Sequence, residues 1–263
     1  KMFNEKSLLA IGLDERALFL KPWQEFLLNE VLDEHALAEH KQFKQVKSIL
    51  FKDKELSASI DSVSYRLVRN FRINVRDLIF SELNKTFENL NDAYSFHSIR
   101  HQVEVPLWQL INQQPENFLM RPLHSWQAVF NQALQKTIDD MVSLESDKKQ
   151  ALTKATWGQQ NTSEIKHPLS KSVPFIGKWL DMPSKALSGD SYMPKVQGKA
   201  FGASQRMVVS PGNEEKGYFH MPTSQSGHPW SPYYKNGHAD WVKGNASPFL
   251  PGKTVYELKL HSY

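Results

Sequence analysis

Two places in this sequence put reactive side chains at spacings that suggest chemistry. In Gln225-Ser226-Gly227-His228-Pro229 a hydroxyl and an imidazole stand two residues apart. A serine activated by a histidine base would perform acyl transfer. The strained elbow that usually presents such a serine reads G-x-S-x-G, and Ser224 occupies the first glycine position. A serine and histidine this close on a loop rarely reach the required hydrogen bond, so no triad is expected here. Two roles for Gln225, Ser226 and His228 stay open. They either bond backbone groups and hold a strand end, with Gly227 allowing close approach, or they help shape a substrate pocket. The second place is His97 and His101, four apart and so on one helix face, which is half of a zinc-binding pattern. Position 98 is serine where the motif needs glutamate, and no third ligand is evident, so no metal site is expected. His35 and His40 lack even that spacing. Asp190, between Gly189 and Ser191, reads as an Asx-type turn.

Ser204 to Ser210 is short, partly apolar and β-branched; Pro211, Gly212, Asn213 and Gly217 follow, and then the apolar run Tyr218 to Met221. That order predicts a β-hairpin whose second strand leads into the 224–229 loop. Thr254 to Leu260 alternates apolar and polar residues and predicts a last strand that closes the sheet. Between Gly158 and Gln197 the pattern is irregular and reads as a long surface excursion. Trp179, Tyr192, Trp230, Tyr233, Tyr234 and Trp241 would suit a sugar or peptide surface, though such residues more often bury against a sheet.

Upstream the sequence is helical in character. Of twelve glycines only Gly12 precedes Gly158, and ten of fourteen prolines follow it. Two parts are therefore expected, 1–157 mainly helical and 158–263 rich in strands and loops, packed as one unit. Asp14 to Leu20 predicts a short helix, and Pro22 either stops it or opens a second one through Glu30, with Trp23, Phe26 and Leu27 on one face of that second helix. The clearest helix runs from about Ser59 to Leu83, where Val63, Leu67, Phe71, Val75 and Ile79 recur at three- and four-residue spacing. Arg66, Arg69, Arg72 and Arg76 fall on its other side and read as a solvated or ion-paired face. Ser125 predicts the N-cap of a helix that carries Trp126, Val129, Phe130, Leu134, Ile138 and Met141; Ser146 or Asp147 could cap a short sequel.

Composition excludes several classes. A net charge of +4 with no basic block lacks the footprint of a nucleic-acid partner. No cysteine is present, so disulfides, thiolate zinc sites and a cysteine nucleophile are excluded. No run of about 18 apolar residues could cross a membrane.

The order GASQRMVV (202–209), then HMPTSQSGHPWSPYY (220–234), then WVKGNASPFLPG (241–252), resembles the C-terminal part of the large subunit in the penicillin acylase family of N-terminal-nucleophile hydrolases. LDERALFL (13–20) and SASIDSVSYRLVRNFR (57–72) resemble segments of the same family in the same order. The resemblance implies an α+β chain, the C-terminal portion of an αββα sandwich. It implies an amidohydrolase for linear amides of acylated amines, such as penicillins or N-acyl homoserine lactones, acting through an acyl-enzyme. In that family the attacking hydroxyl or thiol sits on the first residue of the large subunit, whose α-amine, titrating near pH 8, is the base. Lys1 has the amine but no oxygen or sulfur at Cβ, so the nucleophile and the oxyanion asparagine are expected upstream, with no catalytic residue in this chain. The fragment alone is expected to be inactive. The resemblance allows a calcium ion in the complete enzyme with its ligands upstream, and no cofactor or metal residue is expected here. The expected partners are the rest of the acylase polypeptide and a small amide substrate, with no nucleic acid and no membrane; periplasmic or secreted location follows from the resemblance alone. The rival reading is a non-catalytic binding or scaffolding module of the same fold.

Overall fold

A computed structural model describes residues 4–90, 95–119, 123, 125–143 and 151–261. The chain is α+β, mainly helical with one small antiparallel sheet. It clusters into two compact units, one of residues 17–157 and the other of residues 1–16 with 158–263.

The helical unit is built on the helices Val63–Leu90 and Trp126–Val142. Ser125 caps the second one, its Oγ accepting from the Ala128 N–H at 3.1 Å, as the sequence predicts. Tyr65, Val68, Phe71 and Val75 from the first helix, and Val129, Phe130, Leu134 and Ile138 from the second, are buried. Pro22 sits in the first turn of the helix Lys21–Phe26, where its missing N–H costs nothing, and Trp23 and Phe26 are buried as predicted. Asp14 to Arg16 are not helical; only a single 3₁₀ turn, Leu18–Leu20, forms there. Beyond Phe26 the backbone widens into a π-helix, Leu27–Val31, with the Leu32 N–H donating to the Leu27 carbonyl five residues back.

The arginine face of 63–90 departs from a solvated stripe. Arg66, Arg72 and Arg76 are buried. Arg72 pairs with Glu104 and lies over the Phe19 ring; Arg76 pairs with Asp77 at 2.7 Å and lies over Phe96. Arg66 donates to the Thr156 carbonyl. Helical periodicity shows that a face is polar, but a long stem with a delocalised charge can be covered when carboxylates, carbonyls and rings meet it. The second reading of that face, ion-paired, holds for Arg72 and Arg76. Ser146 and Asp147 lie outside the described residues.

In the other unit the helix Glu5–Gly12 starts with a reciprocal cap. Asn4 Oδ1 accepts from the Ser7 N–H at 2.9 Å, and Ser7 Oγ accepts from the Asn4 N–H at 3.0 Å. The predicted hairpin is present as β1, Arg206–Val208, and β2, Tyr218–His220, paired with Arg206 opposite His220. The third strand differs from the prediction. β3 is Ser247–Pro248, which takes the second edge of β2. Residues 254–260 form no strand and are exposed, with Tyr256 at 92%. Alternation makes a segment fit for a sheet, but only a free edge of matching register makes it a strand.

The stretch 158–197 is likewise not a surface excursion. Asn161, Ser163, Leu187, Ser188, Lys195 and Gln197 are all buried. Its organiser is Asn161, whose two Nδ2 hydrogens are shared among the carbonyls of Leu187, Gly189 and Gln197 at 3.1–3.2 Å. One buried amide thus replaces the ladder that a regular strand would supply. Gly189 lies in the left-handed region at φ +82°, and a Cβ there would stand 2.2 Å from the Lys195 carbonyl oxygen. Asp190 Oδ1 accepts from the Ser191 N–H at 2.7 Å.

The core of this unit is Leu187, Trp241 and Val242, with Ile165 packed against it. Trp241 Nε1 donates to the Ala203 carbonyl at 2.9 Å, and its ring fills the space a Cβ on Gly202 would need. Among the six aromatic residues, Trp241 takes the buried role, whereas Trp230 and Tyr233 are 73% and 65% exposed. No helix is long and apolar enough to cross a membrane among the described residues.

Candidate functional site

After β2 the chain turns back on itself and enters the short helix His238–Lys243. A cavity of about 370 Å³ opens there, lined by Phe219, His220, Gln225, Asn236, Asp240 and Asn245 among others. Three local features set its shape. Ser224 Oγ accepts from the Gly237 N–H at 2.6 Å and donates to Asn236 Oδ1, which closes the loop across thirteen residues. Gly237 sits so close that a Cβ would stand 2.6 Å from the Thr223 carbonyl oxygen. His238 is buried, with Nδ1 2.7 Å from the Pro222 carbonyl oxygen and Nε2 3.0 Å from that of Pro183.

Of the three residues singled out in the loop, Gln225 lines the cavity, with Nε2 3.3 Å from Met221 Sδ. Ser226 and His228 lie outside that lining. Ser226 Oγ accepts from the His228 backbone N–H at 3.1 Å, and the His228 ring leans against Trp230 at 5.6 Å between centroids. Ser226 also donates its own N–H to the Tyr233 carbonyl. This is a turn held by a hydroxyl. Gly227 has open space where a Cβ would go, so the close approach falls at Gly237 and not at Gly227.

Sequence reasoning missed the buried partner of His220, a residue that lines the cavity. Arg206 and His220 face each other across β1 and β2, with Arg206 Nη1 3.0 Å from His220 Nε2. A guanidinium only donates, so Nε2 accepts and His220 is the neutral Nδ1–H tautomer. Both residues are buried, and Arg206 Nη2 completes no hydrogen bond among the described residues. Burial holds the imidazole below its ordinary pKa, and the positive charge of Arg206 and, more weakly, Lys195 acts the same way, partly offset by the Asn245 backbone. The only sequence signal would have been a histidine and an arginine at facing hairpin positions, legible once the register is known.

A pH prediction follows from the sign of that shift. Below about pH 6.5 the unfolded chain protonates His220 while the folded chain resists. The unfolded state then binds more protons, so stability is expected to fall as pH drops from 6.5 toward the lowered folded value. His220→Asn should flatten the slope in that window, measured by urea midpoints between pH 7.5 and 5. Asp14, held low by hydrogen bonds from Arg16, acts in the same direction but only below about pH 4, so the two contributions separate. A slope unchanged in His220→Asn would exclude His220 as its source.

No group of three or more histidine, aspartate or glutamate side chains is placed to hold a metal among the described residues. The side chain of His97 lies outside them.

The chain belongs to the penicillin amidase family, whose model matches residues 1–254. Among individual relatives, the penicillin acylase 2 proenzyme of Pseudomonas sp. (strain SE83) is 30% identical over 109 residues, which cover 38% of this chain and 14% of that protein. The matched stretch is thus a small part of the relative's length.

Proposed function

We propose that this chain is part of an amidohydrolase that cleaves linear amides of acylated amines, penicillins or N-acyl homoserine lactones among them, through an acyl-enzyme. Membership of the penicillin amidase family over residues 1–254 carries this reading. In it, a hydroxyl or thiol nucleophile and its α-amine base come from polypeptide outside residues 1–263, along with the oxyanion donors and any calcium ligands. The two serines of the 224–229 loop support that division, because Ser224 and Ser226 are engaged in holding the loop. The chain contributes C-terminal strands and helices to an αββα sandwich, and the cavity beside Gln225 forms part of the wall that meets the acyl group or the amine. Its partners are the remaining acylase segments and a small amide substrate. A periplasmic or secreted location belongs to the same proposal and rests on the resemblance.

The test compares residues 1–263 with the acylase purified from its source. Each is incubated with benzylpenicillin and with an N-acyl homoserine lactone, and the freed amine is measured. Hydrolysis is expected from the source enzyme and none from residues 1–263. Turnover by residues 1–263 alone would overturn the external nucleophile. No turnover by either would favour a binding module, a second reading supported by the exposed Trp230 and Tyr233.

A further inference from the structure

A groove of about 380 Å³ in the helical unit lies between the 21–31 segment and the helix Glu104–Gln113. We propose that it binds a small organic ammonium ion, a primary amine carrying an aromatic or aliphatic body. This site is separate from the cavity near Gln225 and does not depend on the amide chemistry.

Pro22, Glu25, Phe26, Asn29 and Glu30 recur at three- and four-residue spacing, so one face of the 21–31 segment lines the groove. The segment ends in the π-helix Leu27–Val31, and turns of this kind recur at functional sites. The opposite wall ends in Gln114, the one non-glycine residue with positive φ among those described, at 43°. Its N–H still caps the helix by donating to the Leu110 carbonyl, while the left-handed turn keeps Gln114 in the lining.

The floor is aromatic. Trp108 and Phe26 line the groove, and Trp108 is held by Trp23 and Phe26 at centroid distances of 5.3 and 6.4 Å. An indole face attracts a cation, and more so when carboxylates stand beside it. Glu25 and Glu30 are exposed, neither is ion-paired among the described residues, and no lysine or arginine lines the groove. Among the described residues the negative charge is therefore unanswered. A ligand with an ammonium head answers it, an apolar body covers Trp108, and Asn29 and Gln114 can accept the remaining N–H groups.

The probe is benzylammonium, titrated into the 263-residue chain at pH 7 and followed by the indole N–H resonance of Trp108, assigned by its loss in Trp108→Phe. A saturable shift is expected. Benzyl alcohol, of similar shape without the charge, should bind at least ten-fold more weakly, and Glu25→Gln with Glu30→Gln should weaken benzylammonium at least five-fold. Both glutamates are exposed, so the double variant is expected to keep its circular dichroism. No saturable shift, or equal affinity for benzyl alcohol, would overturn the site. Tighter binding of N-acetyl-lysine amide than of benzylammonium would assign the groove to a lysine side chain of a polypeptide and overturn the small-amine assignment.

Discussion

Replacing Trp241 with alanine is expected to cost about 3–5 kcal/mol of the stability of the unit formed by residues 1–16 and 158–263. The ring is 2% exposed and is the largest member of a small core that otherwise holds Leu187, Val242 and part of Ile165. Few neighbours can move in to fill the space, because Gly202 has no side chain and the ring lies against its α-carbon. The substitution also strips the Ala203 carbonyl of its indole donor. Trp241→Phe separates the two losses. It keeps most of the apolar volume and should cost roughly 1 kcal/mol from the missing N–H, plus the smaller ring. Urea unfolding with hydrogen exchange at the Ala203 amide, which donates to the Val196 carbonyl, reads the local unit directly. An alanine variant within 1 kcal/mol of the parent would show that this core does not hold the unit together.

Asn161→Asp is expected to be nearly as damaging, although it changes only one terminal group. The two N–H groups of the amide are shared among three backbone carbonyls, 26, 28 and 36 residues further along the chain. A carboxylate would place an oxygen where those oxygens converge, in a site 4% exposed to solvent. Each carbonyl left without a donor costs about 1–3 kcal/mol, and the buried charge adds to that. The loss should be about 4 kcal/mol at pH 7 and should shrink as the introduced acid protonates at lower pH. Asn161→Ala serves as the control, since it removes the donors without adding repulsion and should cost less than the aspartate. Equal losses for the two at every pH would mean that repulsion plays no part. Because Asn161 also sets the Gly189 turn, hydrogen exchange at Leu187, whose N–H donates to the Asn161 carbonyl, should rise in both variants.

These two residues show why some of the chain was legible before its structure and some was not. Tryptophan at position 241 had two readings, a binding surface or a core, and nothing in its neighbours chose between them. Burial depends on what packs on the ring, and Leu187 lies 54 residues away. Asn161 carried no signal, because asparagine in an irregular stretch is ordinary and its three acceptors are distant in sequence. The Arg206 and His220 contact, and the approach of Gly237 to Thr223, are hidden for the same reason. The arginines of 63–90 read as a solvated or ion-paired side of their helix, yet Arg66, Arg72 and Arg76 are buried, and their coverage by residues such as Glu104, Phe19 and Phe96 comes from other elements.

Local and collective features are legible from the residues alone. The Ser125 cap, the apolar faces of the long helices and the hairpin follow from partners within a few residues, where backbone geometry alone decides which groups can meet. The family followed from the order of motifs along the chain, which requires no folding to read. Tertiary structure decided which polar groups are buried, which strand occupies the edge of β2, and which side chains meet in the cavity and the groove. Those outcomes turn on contacts between residues far apart in sequence, and the free energy of such a contact depends on the full set of neighbours that exclude water from it.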